Sequence, residues 1–198
     1  MSRLYLASKS PRRREILTQL GIGHEVLTLP PEAGPDEPQL PGESAEIYVQ
    51  RTARDKAQRA AAFLEQSPLT RRPILAADTT VILNGRVLGK PVDAQDARAM
   101  LHALSGGEHA VHTAVALISH GQLHEDVSRT RVWFRPLSAQ DIERYVASGE
   151  PFDKAGGYGI QGLASVFISR IDGSFSGVMG LPVFETARLL GKIGIVLP

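Results

Sequence analysis

A predicted strand leads through a turn with two serines into a predicted helix in the stretch Leu6-Ala7-Ser8-Lys9-Ser10-Pro11-Arg12-Arg13-Arg14-Glu15-Ile16-Leu17. The apolar residues Leu4 to Ala7 predict a short strand. Ser10 suits a helix N-cap and Pro11 the first helical position, so we expect a helix that ends at Gly21. The free N–H groups and the dipole at this helix start, together with guanidinium groups, favour a bound phosphate.

The three consecutive arginines of this predicted helix point in different directions. At about 100° per residue, Ile16 and Leu17 define the apolar stripe of the helix. Arg13 lies over that stripe, Arg12 on its flank and Arg14 on the opposite side. We therefore expect Arg13 to point into the protein, Arg12 to line the edge of a cleft and Arg14 to be solvated. A basic surface helix without a ligand is the alternative interpretation.

The composition narrows the class of protein. The chain has 198 residues, with 22 basic and 21 acidic side chains and no cysteine. A chain of this length forms one domain or two closely joined lobes. The balanced charge argues against a general nucleic-acid binder, and the lack of cysteine excludes disulfides, thiolate metal sites and thiol nucleophiles. The N-terminus shows no signal-peptide pattern and no apolar run reaches the length of a membrane span, so we expect a cytoplasmic protein that makes no membrane contact.

Strand and helix patterns are mixed along the chain, which favours an α/β or α+β fold with an antiparallel hairpin. Strands are predicted at residues 73–83, 86–88, 109–119, 123–134 and 164–171. Helices are predicted at residues 44–65, 93–104, 138–147 and 182–190. Residues 29–43 form a proline-rich loop, and loops of about 15 residues within compact domains are often functional.

Asp78 stands inside the apolar run from Pro73 to Leu83, where a carboxylate is unusual. An unpaired carboxylate is costly to bury, so we expect a cation, a metal ion or a helix end beside it. Asn84-Gly85 predicts a two-residue hairpin turn. The resulting register pairs Thr79 with Lys90 and brings Lys90 close to Asp78. The alternative is a purely structural salt bridge at the end of a strand.

A second cation, Lys56, belongs to the predicted helix 44–65. It falls beside the apolar side of this helix, which carries Val49, Ala53, Ala57, Ala60 and Leu64. A lysine in this position either extends outward to solvent or reaches an anion in the interior. The helical angle alone is compatible with both outcomes.

Glycines are concentrated in the segment Glu150-Pro-Phe-Asp-Lys154-Ala-Gly-Gly-Tyr-Gly-Ile-Gln161-Gly162. They let backbone N–H groups approach a ligand closely, and Lys154 can neutralise a phosphate. Gln161 offers both a donor and an acceptor, which is what reading the edge of a base requires. Glycine-rich loops are common, so this segment alone is a weak signal.

Together these features resemble the Maf family of nucleoside triphosphate pyrophosphatases. The resemblance runs from Leu4 to about Leu190, in order and with matching spacing. It is carried by Ser8-x-Ser10-Pro-Arg12-Arg13, Asp36-Glu37, Pro41-Gly-Glu-Ser44, Tyr48-Val-x-Arg51, Ala53-Arg-x-Lys56-Ala57, Ala77-Asp78-Thr79, Gly89-Lys90-Pro91, Asp153-Lys-Ala-Gly156-x-Tyr158-x-Ile-Gln161-Gly162 and Gly180-Leu-Pro182.

The resemblance implies a single domain over residues 1–198, with two lobes around a central cleft that holds the nucleotide. It also implies a central mixed sheet and a fold akin to that of inosine triphosphate pyrophosphatases. The implied reaction is hydrolysis of a nucleoside triphosphate to the monophosphate and pyrophosphate, assisted by a divalent cation, Mg²⁺ or Mn²⁺. The oligomeric state is left open, although apolar hairpins and the 182–190 helix would support a homodimer.

By position, the resemblance gives catalytic roles to four residues. Asp78 matches the proton acceptor, and Glu37 matches the loop acid that works with the metal, so both are expected metal ligands. Whether Asp78 acts as base or only as ligand stays open. Lys56 and Lys90 match the lysines of the triphosphate site. Glu32 is the alternative to Glu37, because the loop that precedes Asp36-Glu37 is longer than usual. The spacing from Asp36-Glu37 to Pro41-Gly-Glu-Ser44 favours Glu37.

The resemblance also assigns substrate-binding residues. Ser8 and Arg13 match the phosphate-binding turn. Arg12, Thr79 and Gln161 match positions that distinguish the subfamilies, and this combination resembles the branch that acts on dTTP and UTP. The branch that acts on 7-methyl-GTP, which typically has an aromatic residue, Gln and Glu there, is the alternative substrate class. A non-catalytic nucleotide sensor that regulates division is an alternative of another kind.

Overall fold

The computed structural model describes residues 3–30 and 38–197. Its strands are β1 (Arg3–Leu6), β2 (Gly23–Val26), β3 (Ile74–Leu83), β4 (Arg86–Leu88), β5 (Glu108–Ser119), β6 (Gln122–Phe134) and β7 (Ile168–Asp172). Its helices are α1 (Pro11–Gln19), α2 (Ala45–Gln66), α3 (Ala94–Leu104), α4 (Ala139–Ala147), α5 (Phe175–Met179) and α6 (Val183–Lys192), and 3₁₀ helices cover Glu150–Asp153, Ala155–Gly157 and Leu163–Phe167. Within these described ranges, no helix has the length and apolar character needed to cross a membrane.

Over the described residues, the strands form a seven-stranded mixed sheet. The strand order is β2-β1-β3-β5-β6-β7, and β4 pairs with β3. β1 is parallel to β2 and to β3, whereas the β3–β4 and β6–β7 pairs are antiparallel. The prediction of an α/β fold with a central mixed sheet is confirmed.

The Asn84-Gly85 hairpin forms with the predicted register. Leu83 pairs with Arg86, and the ladder continues to the pair of Val81 with Leu88. Asn84 and Gly85 have φ angles of 51° and 77°. A two-residue turn of this type needs positive φ at both central residues, which is why Asn-Gly predicts it well.

The chain divides into two compact units. The first unit comprises Met1–Asp78, Thr113–Val127 and Gly180–Pro198, and the second unit comprises Thr79–His112 and Ser128–Met179. Each unit has its own cluster of buried side chains. The expected cleft between two lobes of a single domain over residues 1–198 stays a prediction.

In the first unit, α2 packs against the sheet through its predicted apolar side. This side comprises Val49, Ala53, Ala57, Ala60 and Leu64, none of them more than 3% exposed. The same buried cluster contains alanines from the strands, namely Ala76, Ala114 and Ala116. Because the interior is close-packed and alanine side chains are short, the helix backbone approaches the sheet closely. A polar side chain on the flank of α2 can therefore reach β3.

The second unit has a separate core rich in aromatic side chains. The Phe134 ring lies 4.9 Å from the Tyr158 ring and 6.1 Å from the Phe167 ring, centroid to centroid, in tilted or edge-on contact. Such contacts add to the stabilisation from burial alone. Tyr158 belongs to the glycine-rich segment, so this core anchors that segment on β6.

Three local structures differ from the sequence prediction. The pattern does not predict β2, because its residues are half-buried or exposed and lack an apolar alternation. α5 has five residues and is too short to show a helical period. The predicted strand at 164–171 is wrong in its first half, where Leu163–Phe167 forms a 3₁₀ helix before β7 begins. The Glu150 carboxylate accepts a hydrogen bond from Leu163 N at 2.9 Å and thereby favours this helix start.

His109 is buried in the core of the second unit. Its Nε2 lies 2.7 Å from the Tyr158 hydroxyl, and the Phe134 ring packs edge-on against the imidazole. Only 2% of the residue is exposed. Burial lowers the pKa of His109 to about 4, so the imidazole stays neutral in the folded protein at neutral pH.

The protein is expected to lose stability as the pH falls from about 6.5 to about 4, with His109 contributing to the loss. In this range the unfolded chain binds a proton at His109 that the folded protein does not bind. Between about pH 7 and about pH 5, the unfolding free energy of the wild type should fall by about 2 kcal/mol more than that of His109→Gln. Urea unfolding at the two pH values measures this difference.

His102 provides the matched control, since it is exposed in the last turn of α3. His102→Gln should keep the pH dependence of the wild type. If His109→Gln keeps it as well, titration of His109 is not the cause of the loss.

Candidate functional site

Lys56 and Asp78 form an ion pair that joins α2 to β3. The Lys56 Nζ–Asp78 Oδ1 distance is 2.6 Å, and the two side chains are 26% and 15% exposed. The prediction that Asp78 has a cationic partner is thereby confirmed, and of the two alternatives for Lys56 the structure shows the one in which it reaches an anion. Both side chains keep part of their surface accessible, so a ligand can reach the pair.

The position of this pair follows from the alanine packing of the first unit. Lys56 precedes the fully buried Ala57 on α2, and Asp78 follows the fully buried Ala76 and Ala77 on β3. With such short side chains between helix and strand, Lys56 spans the remaining distance along the edge of the contact. Its apolar stem can cover the alanines while the ammonium group meets the carboxylate.

Ser8 and Arg13 meet at the turn between β1 and α1. Arg13 Nη1 donates to Ser8 Oγ at 3.1 Å, and Ser10 N donates to the same oxygen at 3.2 Å. Arg13 Nε donates to the main-chain carbonyl of Gly180 at 2.7 Å. Arg13 therefore ties the serine turn to a residue far along the chain. The motif Gly180-Leu-Pro182 was recognised in the sequence, but the sequence did not predict the contact of Gly180 with Arg13.

The start of α1 matches the predicted distribution of its arginines. Arg12 and Arg13 are half-buried and Arg14 is exposed. Pro11 occupies the first helical position, and Ser10 has the extended conformation of an N-cap. Among the residues that the structure describes, the Ser10 side chain has no capping partner on α1. The first N–H groups of the helix therefore lack this internal acceptor, which is the arrangement that favours an anion.

The serine turn and Asp78 are close together because β1 and β3 are parallel neighbours. Leu6 lies opposite Leu75, and Ala7 N donates to the carbonyl of Leu75. Ser8 stands two residues beyond Leu6 and Asp78 three residues beyond Leu75, in the same direction. Adjacent strands are about 4.8 Å apart and rise about 3.3 Å per residue, so both residues lie just beyond the carboxyl end of β1, beside which β3 continues to Leu83. Open α/β sheets bind ligands beyond the carboxyl ends of their parallel strands.

Arg51 and Glu43 form a bidentate pair at the beginning of α2. Arg51 Nε and Nη2 donate to the two carboxylate oxygens of Glu43 at 2.7 and 2.9 Å. Glu43 also accepts from Leu40 N, and Arg51 also donates to the Pro38 carbonyl. The hydrogen bond from Arg51 holds the pKa of Glu43 below its usual range. The pair thereby ties the last residues of the proline-rich loop to α2.

In the second unit, the glycine-rich segment packs against the β3–β4 hairpin. Gly156 N donates to the Gly89 carbonyl at 2.9 Å. A Cβ atom at Gly156 would lie 2.8 Å from the Val81 side chain, and the φ angle of Gly156 is 69°. Both the close approach and the backbone conformation require glycine here.

Lys90 does not pair with Thr79 in the hairpin ladder, which corrects the predicted register at this end. β4 ends at Leu88, and the following Gly89 carbonyl accepts a hydrogen bond from Gly156 N. Lys90 follows as an exposed residue and Thr79 is half-buried. The partner of Asp78 that the structure identifies is Lys56.

Lys154 is held within its own segment. Its Nζ donates to the Glu150 carbonyl at 2.7 Å and pairs with the Asp153 carboxylate, and its side chain is 12% exposed. Gln161, by contrast, is exposed at the far end of the segment. Of the two predicted ligand-binding residues in this segment, Gln161 is therefore the more accessible.

Asp78 is the predicted metal ligand that the structure describes, since Glu37 and its rival Glu32 lie outside the described residues. Within residues 3–30 and 38–197, no group of three or more His, Asp or Glu side chains could hold a metal ion. Mg²⁺ is often bound by one or two carboxylates together with the phosphates of the substrate. A single accessible carboxylate at Asp78 fits a site of that kind.

The mixed sheet and its helices make this an α/β protein. Its serine turn, the start of α1 and the Lys56–Asp78 pair carry groups of the kind that suit an anionic ligand such as phosphate. A family model described as "Maf-like protein" matches residues 3–193 of the chain. The chain therefore belongs to the Maf-like protein family, as its motifs indicate.

Similar proteins cover nearly the whole chain. A protein of Bordetella avium named dTTP/UTP pyrophosphatase is 64% identical over 196 residues, which span 99% of this chain and 98% of the relative. Proteins of the same name from Chromobacterium violaceum and Nitrosomonas europaea are 54% and 53% identical, over 100% and 97% of this chain and 98% and 95% of each relative. The solved structure of the Staphylococcus aureus Ham1 protein is similar with a TM-score of 0.42 and 10% identity, over 67% of this chain and 72% of that chain.

Proposed function

We propose that the protein hydrolyses dTTP and UTP to the monophosphate and pyrophosphate. Relatives named dTTP/UTP pyrophosphatase match it over nearly their whole length. The structural observation that carries the proposal is the 2.6 Å pair of Lys56 and Asp78. This pair sets a carboxylate and a cation beside a turn suited to phosphate, and hydrolysis of a triphosphate needs both kinds of group.

We assign to Asp78 the activation of the attacking water. A carboxylate can accept the proton of the water as its oxygen bonds to phosphorus, while the bond from phosphorus to the pyrophosphate oxygen breaks. The contact with Lys56 Nζ holds the carboxylate in one orientation, which favours a defined approach of the water. The same oxygens are also suited to holding a cation, and the two roles are compatible with the geometry.

Charge neutralisation of the triphosphate is the second requirement. Lys56 contributes an ammonium group beside Asp78, and the start of α1 contributes N–H groups and the positive end of its dipole. Arg13 fixes the turn through Ser8 and Gly180. We propose that Ser8 and Arg13 thereby hold the turn in a conformation that receives a phosphate group.

A divalent cation, Mg²⁺ or Mn²⁺, is part of the proposal. When bound, it neutralises phosphate charge. Asp78 would hold it together with phosphate oxygens, and Glu37 is the second proposed ligand. Carboxylate oxygens are the donors that such hard cations prefer.

The roles of the other assigned residues stay predictions. Arg12, Thr79 and Gln161 are proposed to select the base, and Lys90 and Lys154 to bind phosphate. Lys154 would have to exchange its partners Glu150 and Asp153 to do so. A cytoplasmic location and a homodimer likewise stay predictions.

A nucleotide panel tests the proposal. The full chain with Mg²⁺ is supplied with dTTP, UTP, dCTP, dATP, dGTP and 7-methyl-GTP, and pyrophosphate release is followed. We expect kcat/KM for dTTP and UTP to exceed that for the other nucleotides by at least about tenfold, since a site that hydrogen-bonds a base rejects others strongly. Removal of the divalent cation with EDTA should stop turnover.

Two outcomes would replace the proposal with its alternatives. A preference for 7-methyl-GTP would move the protein to the other branch of the family. Tight triphosphate binding without release of pyrophosphate would favour a nucleotide sensor. The relatives named dTTP/UTP pyrophosphatase favour hydrolysis of dTTP and UTP over both alternatives.

A further inference from the structure

Glu150 joins two elements of the second unit through its carboxylate. Oε1 accepts a hydrogen bond from the Tyr145 hydroxyl on α4 at 3.0 Å. Oε2 accepts from Leu163 N at 2.9 Å, at the first residue of the 3₁₀ helix Leu163–Phe167. Burial raises the pKa of the Tyr145 phenol, so its hydroxyl remains a donor. One side chain thus connects α4 to the far end of the glycine-rich segment.

The glycines on either side of Gln161 pack directly on this connection. A Cβ atom at Gly162 would lie 2.6 Å from Cδ of Glu150, and one at Gly159 would lie 2.9 Å from Cε of Lys154. Lys154 Nζ in turn donates to the Glu150 carbonyl. A side chain at either position would displace the end of the Glu150 or Lys154 side chain, so these two contacts depend on the glycines.

Gln161 stands on a turn that a main-chain hydrogen bond closes and a buried side chain anchors. Gly162 N donates to the Gly159 carbonyl at 3.1 Å, which closes a turn with Ile160 and Gln161 at its centre. Ile160 is 3% exposed and anchors the turn in the protein interior. Gln161 is exposed, so the one polar side chain at the centre of the turn faces solvent.

We propose that Glu150 is a positioning residue for Gln161. It fixes the turn Gly159–Gly162 so that the Gln161 amide meets the hydrogen-bonding edge of a pyrimidine base. The inference rests on the proposed function, because it takes Gln161 as a residue that contacts the base. An amide distinguishes thymine from cytosine by presenting its donor and acceptor in a fixed order, and a mobile amide would lose that discrimination.

The test compares kcat/KM for dTTP and dCTP in the wild type, Glu150→Ala, Tyr145→Phe and Gln161→Ala. Misplacement of a binding group by about 1 Å can lower the rate of the catalysed reaction by up to about 100-fold. We expect Glu150→Ala to raise KM for dTTP about tenfold, to lower the dTTP-to-dCTP ratio equally and to leave kcat within about twofold. Tyr145→Phe removes one hydroxyl and should shift the ratio in the same direction by less. The dTTP-to-dCTP ratio of the double variant Glu150→Ala/Gln161→Ala should be no lower than that of Gln161→Ala alone.

Glu143→Ala is the matched control, since Glu143 is an exposed carboxylate of α4 that pairs with Arg98. It should leave the nucleotide ratio unchanged. Calorimetric binding of dTMP and dCMP gives a second measure of base recognition that does not depend on turnover, so failure of the wild type to hydrolyse dTTP would contradict the proposed function alone. The inference is overturned if Glu150→Ala and Tyr145→Phe leave both the kinetic and the binding ratio at the wild-type value. An equal loss of kcat/KM for dTTP and dCTP in Glu150→Ala would overturn it as well.

Discussion

Asp78→Asn is expected to lower kcat/KM for dTTP by about 1,000-fold without unfolding the protein. Asparagine keeps the shape of the side chain but neither accepts a proton at neutral pH nor carries the charge that holds a cation. A positioned general base contributes about 10²- to 10⁴-fold to a rate, and we take the middle of that range. Pyrophosphate release under limiting dTTP measures the loss, and a thermal melt shows whether the fold persists.

Asp126→Asn is the matched control for this change. Asp126 belongs to the same unit, is 12% exposed against 15% for Asp78, and pairs with Arg188. Both variants therefore remove one partner of an ion pair with similar exposure of the carboxylate. Asp126→Asn should turn over dTTP at the wild-type rate. Near-normal turnover by Asp78→Asn would remove Asp78 from the catalytic role.

Lys56→Met is expected to lower kcat/KM for dTTP by about 100-fold. Methionine keeps much of the length and the apolar stem, but it loses the ammonium group that orients Asp78 and neutralises phosphate. Loss of one preorganised hydrogen-bond donor that stabilises the transition state lowers kcat by about 10²- to 10³-fold. Steady-state kinetics should show the loss mainly in kcat, because the pair acts on the reacting groups more than on binding.

Arg54→Met separates this effect from a general loss of positive charge on α2. Arg54 lies on the same helix and pairs with Glu125, with 41% of its side chain exposed. It should change kcat/KM by less than about twofold. Since Lys56 and Asp78 act as a unit, the double variant Lys56→Met/Asp78→Asn should be little worse than Asp78→Asn alone. Fully multiplicative losses would show that the two residues act independently.

Local patterns in the sequence predicted the parts of the fold that local contacts determine. The apolar side of α2 was readable from its spacing, and Asn84-Gly85 specified its turn by backbone conformation alone. β2 could not be predicted, because its stability comes from pairing with β1 and not from its own side chains. The 3₁₀ helix at Leu163 depends on a carboxylate 13 residues earlier, and no short-range pattern records that contact.

The site was predictable in its residue types but not in its pairings. An aspartate in an apolar strand called for a cation, but the sequence offered both Lys90 and Lys56, and the structure shows the pair of Asp78 with Lys56. That choice depends on how closely α2 packs on β3, which is a property of the tertiary structure. The contacts of Arg13 with Gly180 and of Glu150 with Tyr145 escaped the sequence for the same reason. Glu37 lies outside the described residues, so its assignment stays a prediction.

Product analysis of dTTP hydrolysis tests the central claim most directly. The full chain is incubated with dTTP and Mg²⁺, and the products are identified by phosphorus NMR, with Asp78→Asn as the blank. The account predicts dTMP and pyrophosphate in equal amounts from the wild type and almost none from the variant. No turnover of dTTP, or its conversion to dTDP and phosphate, would contradict it.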